Sequence, residues 1–218
     1  MIDYRTARAN MVENQVRPNG VTDHRLIAAM AELPRELFVP DARRDIAYMD
    51  EDIPLKKGRW LIEPMAQARL IQLAAITRSD SVLHIGCATG YGTAILARLA
   101  QSVTAIDEDP ELSDMAASLL AELGSSGTRI LQAPHAGGAP AAAPFDVIVI
   151  EGAVQEIPKQ LLSQLKDGGR LAAVIGNSSV GKTVLYTRAG QSFSRRVAFD
   201  ASVAVLPGFA APAPAFVF

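Results

Sequence analysis

The fold class of this chain is decided by the stretch SVLHIGCATGYGTAILARLAQSVTAID, residues 81–107. Its first part (81–86) is a short apolar run that ends in glycine, and a helical pattern (91–101) follows. A second β-branched run (102–107) ends in an acid. Two strands joined by a helix form a crossover, and a crossover pairs the strands in parallel. The stretch therefore predicts a parallel sheet with helices on its faces.

The same alternation continues along the rest of the chain. Asp109 as a cap, Pro110 at the first helical position and Gly124 after the end predict the best defined helix. The predicted helices are 64–77, 91–101, 109–124 and 157–169, and the predicted strands are 81–86, 102–107, 128–133, 145–152 and 170–176. Residues 183–206 have the pattern of two or three antiparallel strands, and the alanine- and proline-rich stretch 133–144 is typical of a flexible surface loop. We therefore predict an α/β, Rossmann-like, doubly wound and mostly parallel sheet with an antiparallel C-terminal hairpin.

The glycine loop HIGCATGYG (84–92) lies between the first strand and its helix, where backbone N–H groups can meet a nucleotide-type ligand. A dinucleotide fingerprint would need glycines where Ala88 and Tyr91 stand. Gly86 and Gly90 instead fit the G-x-G-x-G style of S-adenosylmethionine sites, with alanine in the middle. Asp107, at the end of the next strand, could then accept two ribose hydroxyls. A tight turn without a ligand, and simple acidity at a helix start for Asp107, are the alternatives.

A second motif, GNSSVGKT (176–183), matches the phosphate-loop pattern G-x-x-x-x-G-K-[ST] letter for letter. A phosphate loop needs a helix after its lysine, so that N–H groups can hold phosphates. The residues that follow, TVLYTRAGQSF, are β-branched and aromatic. We therefore predict the tip of a hairpin, and a helix starting at Thr183 would contradict this.

Composition excludes several classes of protein. The 21 Lys and Arg against 23 Asp and Glu give a net charge of −2, which leaves no electrostatic footprint for nucleic acid or an anionic membrane. The single cysteine, Cys87, excludes an internal disulfide and a multi-cysteine zinc site, so no metal site is predicted. No stretch reaches the ~18–20 apolar residues of a membrane helix, and no signal peptide begins the sequence. We expect a cytoplasmic protein that binds neither membrane nor nucleic acid.

Five blocks of sequence together resemble the protein-L-isoaspartate O-methyltransferase family over nearly the full length of the chain. The blocks are MVENQVRPNGVTDHRLIAAMAELPRELFVP (11–40), AYMDEDIPL (47–55), VLHIGCATGYGTAILARLA (82–100), APFDVIVIEGA (143–153) and IPKQLLSQLKDGGRL (157–171). The resemblance implies a class I methyltransferase-like fold, with a helical cap over 1–63 integrated with an α/β sandwich over 64–218. It also implies S-adenosylmethionine as cofactor and, as substrate, a damaged protein or peptide that carries isoaspartate.

The resemblance also marks positions for the site. The family's G-Q-T-I-S-Q-P-type segment falls on GRWLIEP (58–64), so its serine falls on Ile62 and its threonine on Trp60. The side chains of Arg59 and Trp60 have no counterpart of the same kind in the family segment, and we expect Trp60 to be buried in the lid. Glu63 replaces a neutral amide and would tend to repel an anionic substrate. With Arg59, Trp60 and Ile62 as the catalytic positions, the cofactor positions are His84, Gly86, Cys87, Ala88, Gly90, Tyr91, Asp107, Glu108, Pro134 and His135.

Some of these positions depart from the family pattern, and two hypotheses stay open. His84 stands where the family has an acid, and Pro134 and His135 stand where it has G-D-G after the third strand. Both histidines also fit a structural role, and Cys87 fits a small filler as well as an acidified thiol. The chain is either a methyltransferase of the isoaspartyl type, weakened or retuned by Ile62, or a non-catalytic relative that binds a protein or small molecule. The apolar tail 207–218 is expected to fold back onto the core.

Overall fold

The protein is described by a computed structural model over residues 2–176 and 180–209. Its strands are β1 (Ile53–Lys56), β2 (Arg59–Leu61), β3 (Ser81–Ile85), β4 (Ser102–Asp107), β5 (Thr128–Gln132), β6 (Phe145–Val154), β7 (Leu165–Ile175), β8 (Gly181–Ala189) and β9 (Ser192–Ala201). Its α-helices are α1 (Tyr4–Met11), α2 (His24–Glu32), α3 (Pro64–Leu73), α4 (Tyr91–Leu99), α5 (Pro110–Glu122) and α6 (Lys159–Leu162). Short π and 3₁₀ turns connect α1 to α2 and follow α2.

The centre of the molecule is a seven-stranded sheet in the order β5-β4-β3-β6-β7-β8-β9. The strands from β5 to β7 pair in parallel, and β8 and β9 complete the sheet as an antiparallel hairpin. β1 and β2 form a separate two-stranded hairpin. The predicted fold class is therefore confirmed. Because β3, β4 and β6 are parallel neighbours, the loops after them meet at one edge of the sheet.

Apolar side chains are buried on both faces of this sheet. Val82 belongs to one buried cluster and Leu83 to another, since successive side chains of a strand point to opposite faces. The first cluster runs from Met11 to Ala172 and includes side chains of α2, α3, α4 and α5. The second is covered by α6, part of the 133–144 loop and the chain after β9. The first core thus contains residues on both sides of position 63, and the domain boundary there stays a prediction.

The predicted helix over 157–169 is wrong beyond its first turn. Helix α6 is only Lys159–Leu162, and β7 already begins at Leu165. The backbone N–H of Phe145 donates to the Gln164 carbonyl at 2.8 Å, and Leu165 then pairs with Phe145 across the sheet. Pairing with β6 therefore ends the helix before the glycines that seemed to close it.

Two other predicted segments also differ from the structure. Helix α3 ends at Leu73 rather than at 77, and Ala75 has a positive φ of 48° that a helix does not contain. The 133–144 stretch is not a free surface loop. The side chain of Gln164 accepts from Ala139 N at 2.9 Å and donates to the Gly137 carbonyl at 2.8 Å, which fixes two short 3₁₀ turns.

Strands β7 and β8, which lie on either side of the centre of the phosphate-loop match, pair as antiparallel neighbours. Residues 177–179 lie outside the described residues, but Gly181 begins β8 and Thr183 lies within that strand. No helix follows Lys182, so the prediction of a hairpin rather than a phosphate loop is confirmed. Within residues 2–176 and 180–209, no helix has both the length and the apolar character needed to cross a bilayer.

Candidate functional site

The glycine loop after β3 is held tightly against the end of β4. Gly86, Ala88 and Gly90 all have positive φ, of 79°, 49° and 98°, which a tight strand-to-helix turn requires. The N–H groups of Gly86 and Cys87 both donate to the Ile106 carbonyl, at 3.0 and 3.2 Å. Alanine therefore takes the left-handed conformation at the middle position of the glycine pattern.

Asp107, the predicted ribose-binding acid, is fully buried and already bonded on both oxygens. The Arg59 guanidinium donates to both of them, with Nη2 at 2.6 Å from Oδ2. The N–H of Ala88 donates to Oδ2 at 2.8 Å, and that of Asp109 to Oδ1 at 3.0 Å. Burial alone would raise the pKa of Asp107, but the bonds from Arg59 hold it well below its usual range. The carboxylate is thus committed to an internal ion pair.

His135 closes the other side of Asp107 and is fully buried. Its Nε2 accepts from the Glu108 N–H at 3.3 Å and lies 3.6 Å from Asp107 Oδ1. Because Nε2 accepts, Nδ1 carries the proton, and it donates to the Pro207 carbonyl at 3.0 Å. His135, a cofactor position of the resemblance that also fits a structural role, is thus bonded to main-chain groups through both ring nitrogens.

A chain of buried polar groups, which the sequence analysis missed, runs behind the glycine loop. Glu151, near the end of β6, accepts from Gln67 Nε2 at 2.7 Å and lies 3.4 Å from His84 Nε2. His84 Nδ1 bonds the Thr93 hydroxyl at 2.8 Å. Arg35, fully buried, donates to Gln67 Oε1 at 3.2 Å. An acid at the carboxyl end of an apolar strand was the signal for Glu151, whereas Gln67 lies within the ordinary pattern of the predicted helix 64–77 and no motif marks Arg35.

The positions that the resemblance marks for methyl transfer lie beside these buried polar groups. Ile62 is buried among apolar side chains that include Ala153 and Val203, and its carbonyl accepts from Arg35 Nη2 at 2.7 Å. Trp60 was expected to be buried, but it is 41% exposed because β2 directs Arg59 and Leu61 inward and Trp60 outward.

Three other predicted residues have different surroundings. Cys87 is buried in the first core, and burial raises its pKa, so an acidified thiol is wrong and a small filler is right. The ring of Tyr91 is buried and packs edge-on against Phe38, with ring centroids 5.3 Å apart. Glu63 has its pKa raised to about 7 by burial and by the neighbouring acids Asp50 and Asp52.

The space over the glycine loop is filled by the chain itself. A carbon added at Gly86 would lie 2.8 Å from Leu206 Cδ1. The cavity between Arg59, Trp60, Ile62, Glu151 and Leu206 has about 10 Å³ of free volume. That volume is about enough for one water molecule, whereas pockets for ligands of the size of S-adenosylmethionine have roughly 300–1,000 Å³. In this arrangement S-adenosylmethionine does not fit. No cluster of His, Cys, Asp or Glu that could hold a metal is found among the residues the structure describes.

Comparison with known proteins identifies the relatives of this chain. The family model for protein-L-isoaspartate(D-aspartate) O-methyltransferase matches residues 6–205. A protein-L-isoaspartate O-methyltransferase of Rhodopseudomonas palustris is 37% identical over 85% of this chain and 86% of its own length. One of Methanoculleus marisnigri is 39% identical over 79% of this chain and 78% of its own length.

Solved structures show the same fold. A protein-L-isoaspartate O-methyltransferase structure has a TM-score of 0.79 at 21% identity, and it covers 93% of this chain and 67% of its own. The structure of a putative protein-L-isoaspartate O-methyltransferase from Plasmodium falciparum, in complex with S-adenosyl-L-homocysteine, has a TM-score of 0.79 at 15% identity. It covers 95% of this chain and 100% of its own.

Proposed function

Because the chain belongs to the protein-L-isoaspartate(D-aspartate) O-methyltransferase family, we propose that it is a methyltransferase that acts on isoaspartyl carboxylates of damaged proteins and peptides. The family match over residues 6–205 carries this proposal. S-adenosylmethionine would be the cofactor and would supply the methyl group. The glycine loop supports a nucleoside ligand, since it lies at the carboxyl end of β3, where this fold binds one.

Methyl transfer to a carboxylate needs little help from the acids and bases of the protein. A carboxylate is already ionised at neutral pH, with an ordinary pKa near 4, so no strong general base is needed. The protein has to align the carboxylate and exclude water from it. The buried apolar surroundings of Ile62 fit water exclusion.

The side chain of Ile62 offers no hydrogen-bond donor to the substrate. One preorganised donor to a reacting oxyanion is worth ~3 kcal/mol, or about two orders of magnitude in rate. We therefore expect slower transfer than in a relative with serine at this position, or transfer to a substrate that needs no such donor.

The test is transfer of a labelled methyl group to an isoaspartyl peptide. The control is the same peptide with ordinary aspartate, which has the same charge and length. We expect a base-labile methyl ester on the isoaspartyl peptide only. Equal labelling of both peptides would indicate another substrate. No ester at millimolar S-adenosylmethionine would contradict the proposal and favour a non-catalytic relative.

A further inference from the structure

The chain after β9 crosses the edge of the sheet where the candidate site lies. We call residues Val203–Phe209 the closing segment. Leu206 and Phe209 are only 3% and 6% exposed and belong to the second core cluster. The segment also pairs with the end of β6: Ala153 N donates to the Ala204 carbonyl at 2.8 Å, and Leu206 N donates to the Ala153 carbonyl at 2.9 Å.

Two side chains from distant parts of the sequence fix the closing segment. One oxygen of Asp52 accepts from Ala204 N at 2.9 Å, while the other accepts from Glu63 N at 2.8 Å. His135 Nδ1 donates to the Pro207 carbonyl at 3.0 Å. The segment is thus tied at one end to Asp52, which also holds the residues after β2, and at the other end to His135, which follows β5.

The closing segment lies where a ligand of the glycine loop would have to lie. Leu206 covers Gly86, and a carbon added at Gly208 would be 2.8 Å from Glu108 Oε2. The segment therefore reaches from the glycine loop to the acidic end of β4. The family model match ends at residue 205, so Leu206 and Phe209 lie beyond the matched part.

We infer that the closing segment is a reversible plug of the cofactor site, and that an adenosine-type cofactor enters only when residues 203–209 leave it. The inference rests on the proposed function. When the segment leaves, Leu206 uncovers Gly86, the cavity beside Ile62 widens, and His135 Nδ1 loses the Pro207 carbonyl. Cofactor affinity is then reduced by the fraction of molecules in which the segment is open.

The plug is tested with S-adenosylhomocysteine as the probe, by calorimetry on the full-length protein. Leu206→Ala puts a smaller side chain over Gly86 and weakens closure of the segment. The dissociation constant of S-adenosylhomocysteine is therefore expected to fall at least tenfold. Leu165→Ala is the matched control. Leu165 is fully buried in the same core cluster but does not contact the glycine loop, so its truncation is expected to leave the affinity unchanged.

Hydrogen exchange on the wild-type protein gives a second readout that needs no variant. The amides of Ala153 and Leu206 are bonded in the closed form, and they are expected to lose protection when S-adenosylhomocysteine binds. Binding with both amides still protected, or equal affinity of wild type and Leu206→Ala, would overturn the plug and leave the proposed function intact. Binding by neither protein at millimolar ligand would overturn both.

Discussion

A single residue, Arg59, changes what the acid at the end of β4 can bind. Asp107 has the position of a ribose-binding acid, but the guanidinium of Arg59 bonds both of its oxygens. Both side chains are buried, at 6% and 0% exposure. Removal of one member of a buried ion pair leaves the other charge without compensation, which is far more costly than the loss of a pair at the surface.

We therefore expect Arg59→Met to lower the free energy of unfolding at pH 7 by about 3–5 kcal/mol. Asp107→Asn in the same protein is expected to restore most of that loss, because the buried charge is gone. Urea denaturation of the two single variants and the double variant measures the coupling. Lys182→Met is the control: it breaks an exposed pair with Asp200, at 55% and 56% exposure, and should cost no more than about 1 kcal/mol. A similar small loss for Arg59→Met would show that the ion pair is not formed.

Glu63 makes the stability of the protein depend on pH. Burial, together with the nearby acids Asp50 and Asp52, raises its pKa to about 7. An acid whose pKa is higher in the folded state stabilises that state below its unfolded pKa of about 4.5. This stabilisation is lost as the pH rises through about 7.

Glu63→Gln removes the charge that burial makes costly. At pH 8 we expect the variant to be more stable than wild type by about 1 kcal/mol, a value reduced for solvent screening of a partly exposed group. At pH 4 the two proteins should be equally stable. Chemical denaturation at both pH values measures this, with Glu156→Gln, at an exposed position, as the control. An unchanged difference between pH 4 and pH 8 would contradict the assigned role.

At the scale of elements, local signals predicted structure only where no distant partner competed. Helix α5 was predicted from Asp109, Pro110 and Gly124, and in the structure Asp109 accepts from the N–H groups of Glu111 and Leu112 at the helix start. The residues that cap this helix lie within a few positions of the groups they bond, so the local sequence is enough to predict the cap. Residues 157–169 show similar signals, but pairing with Phe145 ends that helix early.

The same difference between local and distant partners separates the residues of the candidate site that the sequence predicts from those that it does not. The glycine loop and Asp107 follow one another within a strand–helix–strand unit, and the pattern predicts them together. Arg59 reaches Asp107 from 48 residues earlier in the chain, and Leu206 reaches Gly86 from beyond the last strand. No spacing rule connects such positions, so their contacts became visible only in the folded chain.

At the scale of the whole molecule, the N-terminal region and the sheet share one core. The first buried cluster runs from Met11 through helices α2 to α5 to Ala172 in β7, on both sides of residue 63. The N-terminal region also supplies Arg59 to Asp107 and Asp52 to the closing segment. Because the two regions bury their apolar side chains against each other, unfolding of one would expose apolar side chains of the other.

We therefore expect residues 1–63 and the sheet to unfold in one cooperative transition. Trp60, the only tryptophan, lies in the β1–β2 hairpin and reports the N-terminal region by its fluorescence, while far-UV circular dichroism reports the whole chain. In urea the two signals should give the same midpoint and the same slope.

The control is Arg59→Met, which detaches the hairpin from Asp107. In that variant a fluorescence change that precedes the dichroism change would show that the ion pair couples the two regions. Separate midpoints already in the wild-type protein would show that the chain has two units divided near residue 63, and that the shared core contributes less to stability than its burial implies.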